Sequence, residues 1–253
     1  MSKHFYFTSV IIFFFALLTL GCATQNSTHS EVLPMSKLTA DRSIDMRGRS
    51  ITPFIIYYAV KNLKDMQKGE ILEVQTDNFE SIENDLNAWS RMSGYPLMER
   101  EAGSTYQRYY FRKVDLPKRE GKLAMIVSDD SLEGLLSPLG MALSAALTGT
   151  EVHLFFQGPA VRVLKRDFKA SLSGLQKPFS SFARKGMAKA GHLPPLEKLE
   201  QMKELGARFY ICGGSMDHFG VTKEQLIFDD VIIAQYPTFL EVMEGSDMRF
   251  FLQ

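Results

Sequence analysis

Residues 123–127, Leu-Ala-Met-Ile-Val, constrain the fold more than any other stretch of the chain. They form an unbroken apolar run, bounded by Gly121 before and by Ser128-Asp129-Asp130-Ser131 after. A strand with one solvated face alternates apolar and polar side chains, whereas an uninterrupted run is buried on both faces, as in a parallel sheet lying between helices. The pattern recurs downstream. Residues 152–156, 208–212, 231–234 and 248–252 read as strands. Residues 135–147, a short stretch around 161–164, 196–205 and 238–243 read as helices. The first of these is rich in small residues (Gly140, Ala142, Ala145, Ala146) that allow close packing on a sheet. Strands alternating with helices predict an α/β domain over residues 122–253, an open, mostly parallel sheet with helices on both faces. Sites in such sheets lie beyond the carboxyl ends of the strands.

The preceding segment, 42–113, has a different rhythm. Residues 43–48 suggest a strand and turn, and Pro53 sits where a helix begins, a position where its missing N–H costs nothing. Ile55, Ile56, Ala59, Val60 and Leu63 then fall on one helical face, and Lys68-Gly69 closes the helix. A strand over 70–76, a second amphipathic helix over 79–92 with Ile82, Leu86 and Trp89 on one stripe, and a hairpin of 96–101 with 106–113 complete the segment. The order βαβαββ predicts a small two-layer sandwich. Residues 114–121, with Pro117 and four charged residues, read as a solvated linker.

The first 22 residues carry a different signal. Lys3 precedes an almost wholly apolar run over 10–20, followed by Gly21, Cys22 and a polar stretch, the layout of a secretory signal. Leu18-Thr19-Leu20-Gly21-Cys22 resembles a bacterial lipobox, with Thr19 where Leu is usual. That resemblance implies lipidation of Cys22, a polar tether over 23–41, and a domain anchored at the cell envelope. Two alternatives stay open. The segment can remain uncut as an anchor, although it is short for a span of about 20 residues. Or translation starts at Met35, which places the protein in the cytoplasm.

Composition narrows the functions. The chain has 253 residues, with 29 basic and 29 acidic side chains and no net charge, so nothing points to nucleic acid. Two cysteines, Cys22 and Cys212, exclude a disulfide framework and a Cys-rich zinc site. His4, His29, His153, His192 and His218 are scattered without helical metal-binding spacing, so no metal is expected. No Walker loop, dinucleotide fingerprint or kinase signature is present, and no cofactor is expected.

Cys212 is therefore the thiol to weigh. It closes the apolar run Phe209-Tyr210-Ile211 at a strand end and precedes Gly213-Gly214-Ser215-Met216-Asp217. The glycines permit a tight turn and close approach to a ligand, Ser215 can cap a short helix, and neighbouring N–H groups favour a thiolate. Against this, a lone Cys after an apolar strand is often a small buried hydrophobe. Asp217 and His218 are near in sequence, and His218 can deprotonate the thiol or simply be solvated. Ser215, Asp217 and His218 lie too close along the chain to form a hydrolase triad. Asp129-Asp130 follows the first strand of the sheet and reads as either a ligand-facing pair or a solvated turn. Residues 162–192 carry eight basic side chains, from Arg162 to Lys189, against the single acid Asp167. This basic segment is expected to lie as a lid over the site, with an anionic membrane or a partner as the alternative.

Two family resemblances sharpen the reading. Asp45-x-x-Gly48, Met66-Gln67-Lys68-Gly69-Glu70, the strand ending at Asp77 and Tyr109-Tyr110-Phe111-Arg112-Lys113 resemble the TusA/SirA sulfur carriers. The resemblance implies a carrier Cys at the mouth of the first helix, but this chain has Ile51 there, Thr52 at the following Pro position and Phe54 at the second. The segment is thus similar to a carrier scaffold without its thiol, suited to docking or support. The block from Glu204 to Asp217, then Gly220-Val221-Thr222-Lys223-Glu224-Gln225-Leu226-Ile227, with Leu154-Phe155-Phe156 and Thr238-Phe239-Leu240-Glu241, resembles the DsrE/DsrF-like superfamily. That resemblance implies persulfide carriage or transfer on Cys212, with Gly213, Gly214, Ser215, Asp217 and His218 around it, a thiol or persulfide partner protein, and homo-oligomeric assembly. A lone Cys suits a relay, since each partner needs one thiol. The other expectation is a non-catalytic, envelope-anchored binding or assembly protein, favoured by Ile51 and by the signal segment.

Overall fold

The computed structural model of the chain describes residues 38–116 and 121–252. The expectations for the signal segment, Cys22, Met35 and most of the tether fall outside these residues.

The N-terminal part contains β1 (Arg42–Asp45), α1 (Thr52–Lys64), β2 (Ile71–Asp77), α2 (Glu80–Ser93), β3 (Leu97–Ala102) and β4 (Tyr106–Arg112). Its four-stranded sheet has the order β1-β2-β4-β3, with β1 parallel to β2 and the other pairs antiparallel. Period-2 alternation puts Leu72, Val74, Tyr109 and Phe111 into the core with the apolar stripes of both helices. Pro53 stands in the first turn of α1. At the end of α2, Gly94 takes a left-handed conformation (φ 88°) that a side chain would oppose.

The C-terminal part contains β5 (Lys122–Val127), α3 (Leu132–Leu147), β6 (Glu151–Phe156), α4 (Ser180–Lys189), α5 (Pro195–Glu204), β7 (Arg208–Cys212), α6 (Gly213–Phe219), β8 (Ile232–Ala234), α7 (Tyr236–Glu244) and β9 (Met248–Leu252). A 3-10 helix, Gly158–Leu164, follows β6, and another, Gly174–Phe179, precedes α4. All five strands are parallel, in the order β8-β7-β6-β5-β9. The apolar run of β5 is explained by this placement between two neighbours and two layers. Leu123, Met125 and Val127 enter one core with Leu135, Leu139 and Leu143 of α3 and Leu199 and Met202 of α5. Ala124 enters another, smaller core on the opposite face, with Phe155, Tyr210, Cys212, Ala234 and Phe239 of α7.

Three local differences from the sequence reading have physical causes. The helix expected from residue 135 begins at Leu132, because Ser131 Oγ accepts the Gly134 N–H at 3.0 Å and caps it. Helix α4 forms within the basic segment, where no helix was expected. Helix α7 begins two residues early, at Tyr236, with Pro237 in its first turn. The two sheets share the larger core. Trp89 Nε1 donates to the Leu147 carbonyl at 2.9 Å, and Tyr57 Oη donates to Glu204 at 2.6 Å. Among the described residues no helix is long and apolar enough to cross a membrane.

Candidate functional site

Cys212 is the last residue of β7, in register with Ala234 of β8. Alternation along the strand decides its surroundings. Ile211 faces the larger core under α3 and α5, so Cys212 faces the smaller one under α7, beside Phe155, Tyr210 and Phe239. The thiol is free, and the residue is 7% exposed. Phe239 stacks on Phe155 at 4.9 Å and meets Tyr210 edge-on at 5.3 Å, so the thiol shares its small core with three aromatic rings. Towards the other end of this face, His153 is held between Tyr210 Oη (3.1 Å) and Glu151 (2.9 Å). Burial pushes its pKa down against the opposing pull of Glu151, so the ring is neutral at pH 7 and donates to the carboxylate, whose own pKa is lowered.

The residues after Cys212 are arranged differently from the sequence reading. Gly213 and Gly214 do not form a tight turn. Both are helical, in the first turn of α6, and Cys212 itself is the N-cap. Gly213 lies against β8, where a Cβ would stand 3.4 Å from Ile233 Cγ2, while a Cβ at Gly214 would meet open space. Ser215 is inside the helix rather than at its cap. Its Oγ accepts the N–H of Gly158 at 3.0 Å, fastening α6 to the chain leaving β6. Asp217 and His218 are exposed on α6, and the His218 ring packs edge-on against Phe219. No hydrogen bond joins His218 to the thiol among the described residues.

The neighbouring strand ends supply further polar groups. Asp129 is occupied by Ser131, whose N–H and Oγ both donate to it at 2.8 Å. Asp130 pairs with Arg162 at 2.7 Å, and the Arg162 guanidinium lies 5.1 Å from the Phe219 ring centre. Both acids are thus structural. Gln157, which the sequence reading passed over, donates to Ser128 Oγ at 2.9 Å. Its Oε1 is enclosed without a partner, which leaves an acceptor free at the strand-end crevice. A Gln just past a strand end is the only sequence signal that marks it. No three His, Cys, Asp or Glu side chains converge as a metal site would require, among the described residues.

The basic segment does not form a lid over Cys212. Val161, Val163 and Leu164 are buried in the larger core and turn the chain to the α3 side of the sheet, the face away from the thiol. Leu132 N–H donates to the Ser171 carbonyl at 2.8 Å, Ser173 N–H donates to Glu133 at 2.8 Å, and Ser50 Oγ donates to the Ala190 carbonyl at 3.0 Å. The segment therefore covers the start of α3 and the mouth of α1, where Ile51 lies.

These features define a parallel α/β protein centred on a thiol at an inner strand end. The DsrE/DsrF-like family matches residues 122–249, half of the chain, and the chain belongs to that family. Over 76 residues it is 28% identical to the "Putative sulfur carrier protein YrkI" of Bacillus subtilis (strain 168), a match covering 30% of this chain and 99% of that protein. Among solved structures, the ychN protein from E. coli aligns over 52% of this chain and 99% of its own, with 14% sequence identity and a TM-score of 0.37.

Proposed function

We propose that the protein is a sulfur relay in which Cys212 carries the sulfur. The observation that carries the reading is the free thiol at the end of β7 in a domain of the DsrE/DsrF-like family. The Cys212 thiolate would attack the outer sulfur of a donor persulfide. A new S–S bond forms on Cys212, the donor's S–S bond breaks, and the donor leaves as a thiolate. No outside oxidant or reductant is consumed. The acceptor thiol of the next partner repeats the exchange.

The N-terminal sheet would dock that partner. Its βαβαββ order supports a TusA-like scaffold, and the 76-residue match to a protein named as a sulfur carrier is close to the length of that segment. Ile51 at the mouth of α1 carries no sulfur. Homo-oligomeric assembly is supported by apolar side chains left open on the Cys212 face: Ile232, Tyr236, Leu240 and Phe251. Envelope anchoring through Cys22 rests on residues 1–22 alone. Accumulation of a precursor under globomycin is the expected result, and none would count against the lipobox, leaving an uncut anchor or a start at Met35.

A second reading is favoured by the 7% exposure of Cys212 among aromatic rings: a non-catalytic binding or assembly protein on the same scaffold. Intact mass spectrometry of the full chain after treatment with a sulfane-sulfur donor separates the two. A reducible gain of about 32 Da, absent in Cys212→Ser, is expected. No gain, with Cys212 resisting alkylation until unfolding, would leave only the binding role.

A further inference from the structure

Two adjoining cavities lie on the side of the sheet away from Cys212, between α1, α3, α5 and the loop after α4. The larger, about 280 Å³, is walled by Ile51, Phe54, Leu136 and Leu143, and the smaller, about 50 Å³, by Leu132, Leu135 and Met187. Leu136, His192, Leu193 and Lys198 line both. Lys198 is 7% exposed. Its amine makes no hydrogen bond or ion pair among the described residues, and burial alone lowers its pKa. The His192 pKa is lowered as well, first by burial and then by Lys198. Arg184 lines the smaller cavity, with its guanidinium committed to the Ala170 carbonyl at 2.8 Å. No Asp or Glu lines either space.

A buried ammonium without a counter-charge is costly, and a buried cation is ordinarily paired. Here the largely buried amine has no partner among the described residues, the titratable side chains that line the cavities are all basic, and the rest of the wall is apolar apart from Ser137. We propose that this cavity binds a small aliphatic monocarboxylate, with its carboxylate on Lys198 Nζ and its tail among Phe54, Leu136 and Leu143. The carboxylate supplies the absent anion through a charge-assisted hydrogen bond, and the tail fills space whose lining is mostly apolar. The site is independent of the sulfur-relay reading, since Cys212 lies across the sheet.

Calorimetric titration of the full chain with hexanoate, beside hexanol, tests this. Saturable binding of hexanoate is expected, with hexanol weaker by about 10- to 100-fold for want of the charged contact. Lys198→Met should lower hexanoate affinity by a similar factor. Gly140→Leu provides a second variant, because Gly140 lines the larger cavity and a Cβ there meets nothing within 4 Å. Its side chain should fill the space and abolish binding while the protein stays folded. The proposal is overturned by any one of three results: no saturable hexanoate binding up to about 10 mM, equal affinity for hexanol, or undiminished affinity in a folded Lys198→Met or Gly140→Leu protein.

Discussion

At the scale of single residues, side-chain direction outweighs sequence neighbourhood. Cys212 and Ile211 are adjacent, yet alternation sends them to opposite cores. Cys212 and His218 look close in sequence but share no hydrogen bond among the described residues. Lys198 shows the same rule on a helix, where it lies among the buried positions of α5 with Leu199 and Met202. A lysine inside an apolar stripe was a readable signal, though its lack of a partner was not. Its stability consequence has a definite sign. The folded-state pKa is lowered, so the unfolded chain binds the proton more readily at every pH below the ordinary lysine value of about 10.4. Lys198→Met should therefore raise Tm at pH 7, by about 1 kcal/mol or more in stability. The gain should shrink as the pH rises towards 10, where the unfolded chain also loses the proton. A gain that stays constant with pH would show that the charge contributes nothing.

At the scale of elements, helix starts are governed by local hydrogen bonds that a periodicity pattern does not contain. Helix α3 is the clearest case: Ser131 caps it, and Asp129 holds Ser131 through two bonds. This arrangement explains Gly134. A Cβ there would overlap the Asp129 carboxylate and stand 2.8 Å from Ser131 Oγ. Exposed Gly→Ala changes within helices normally stabilise by about 1 kcal/mol. Gly134→Ala should do the opposite, displacing the Asp129 carboxylate and costing about 1 kcal/mol or more. Chemical denaturation checks the sign, and a stabilised variant would mean that the cap gives way freely. The glycines after Cys212 required a different argument from the expected one, because α6 starts immediately at Gly213 and no turn intervenes.

At the scale of the whole molecule, the two sheets are joined and unequally covered. The larger core runs through both, with Trp89 bonded across to the end of α3. On the opposite face of the parallel sheet, α7 alone covers the middle strands and leaves β8, β9 and its own outer side apolar and open. Association of like chains through this face would bury that surface. Leu240, 60% exposed on α7, tests it. Leu240→Glu should leave Tm nearly unchanged and shift the protein to a smaller species in light scattering. A wild-type chain that is already monomeric at the same concentration would remove the idea.

The amino-acid sequence by itself determined the architecture. Continuous apolar runs can be accommodated only between two covered faces, and the spacing of Ile55, Ala59, Val60 and Leu63 suits only a helix with one buried side. It also placed Cys212 at a strand end, because Gly213 and Gly214 follow the last apolar residue. The tertiary structure decided what those positions face. Whether the basic segment lies over the thiol or across the sheet from it depends on where Val161, Val163 and Leu164 find their core, a choice made by contacts distant in sequence. The enclosure of Lys198 likewise arises only where α1, α3, α5 and the loop after α4 meet, since burial is a property of surfaces brought together and no single segment carries it.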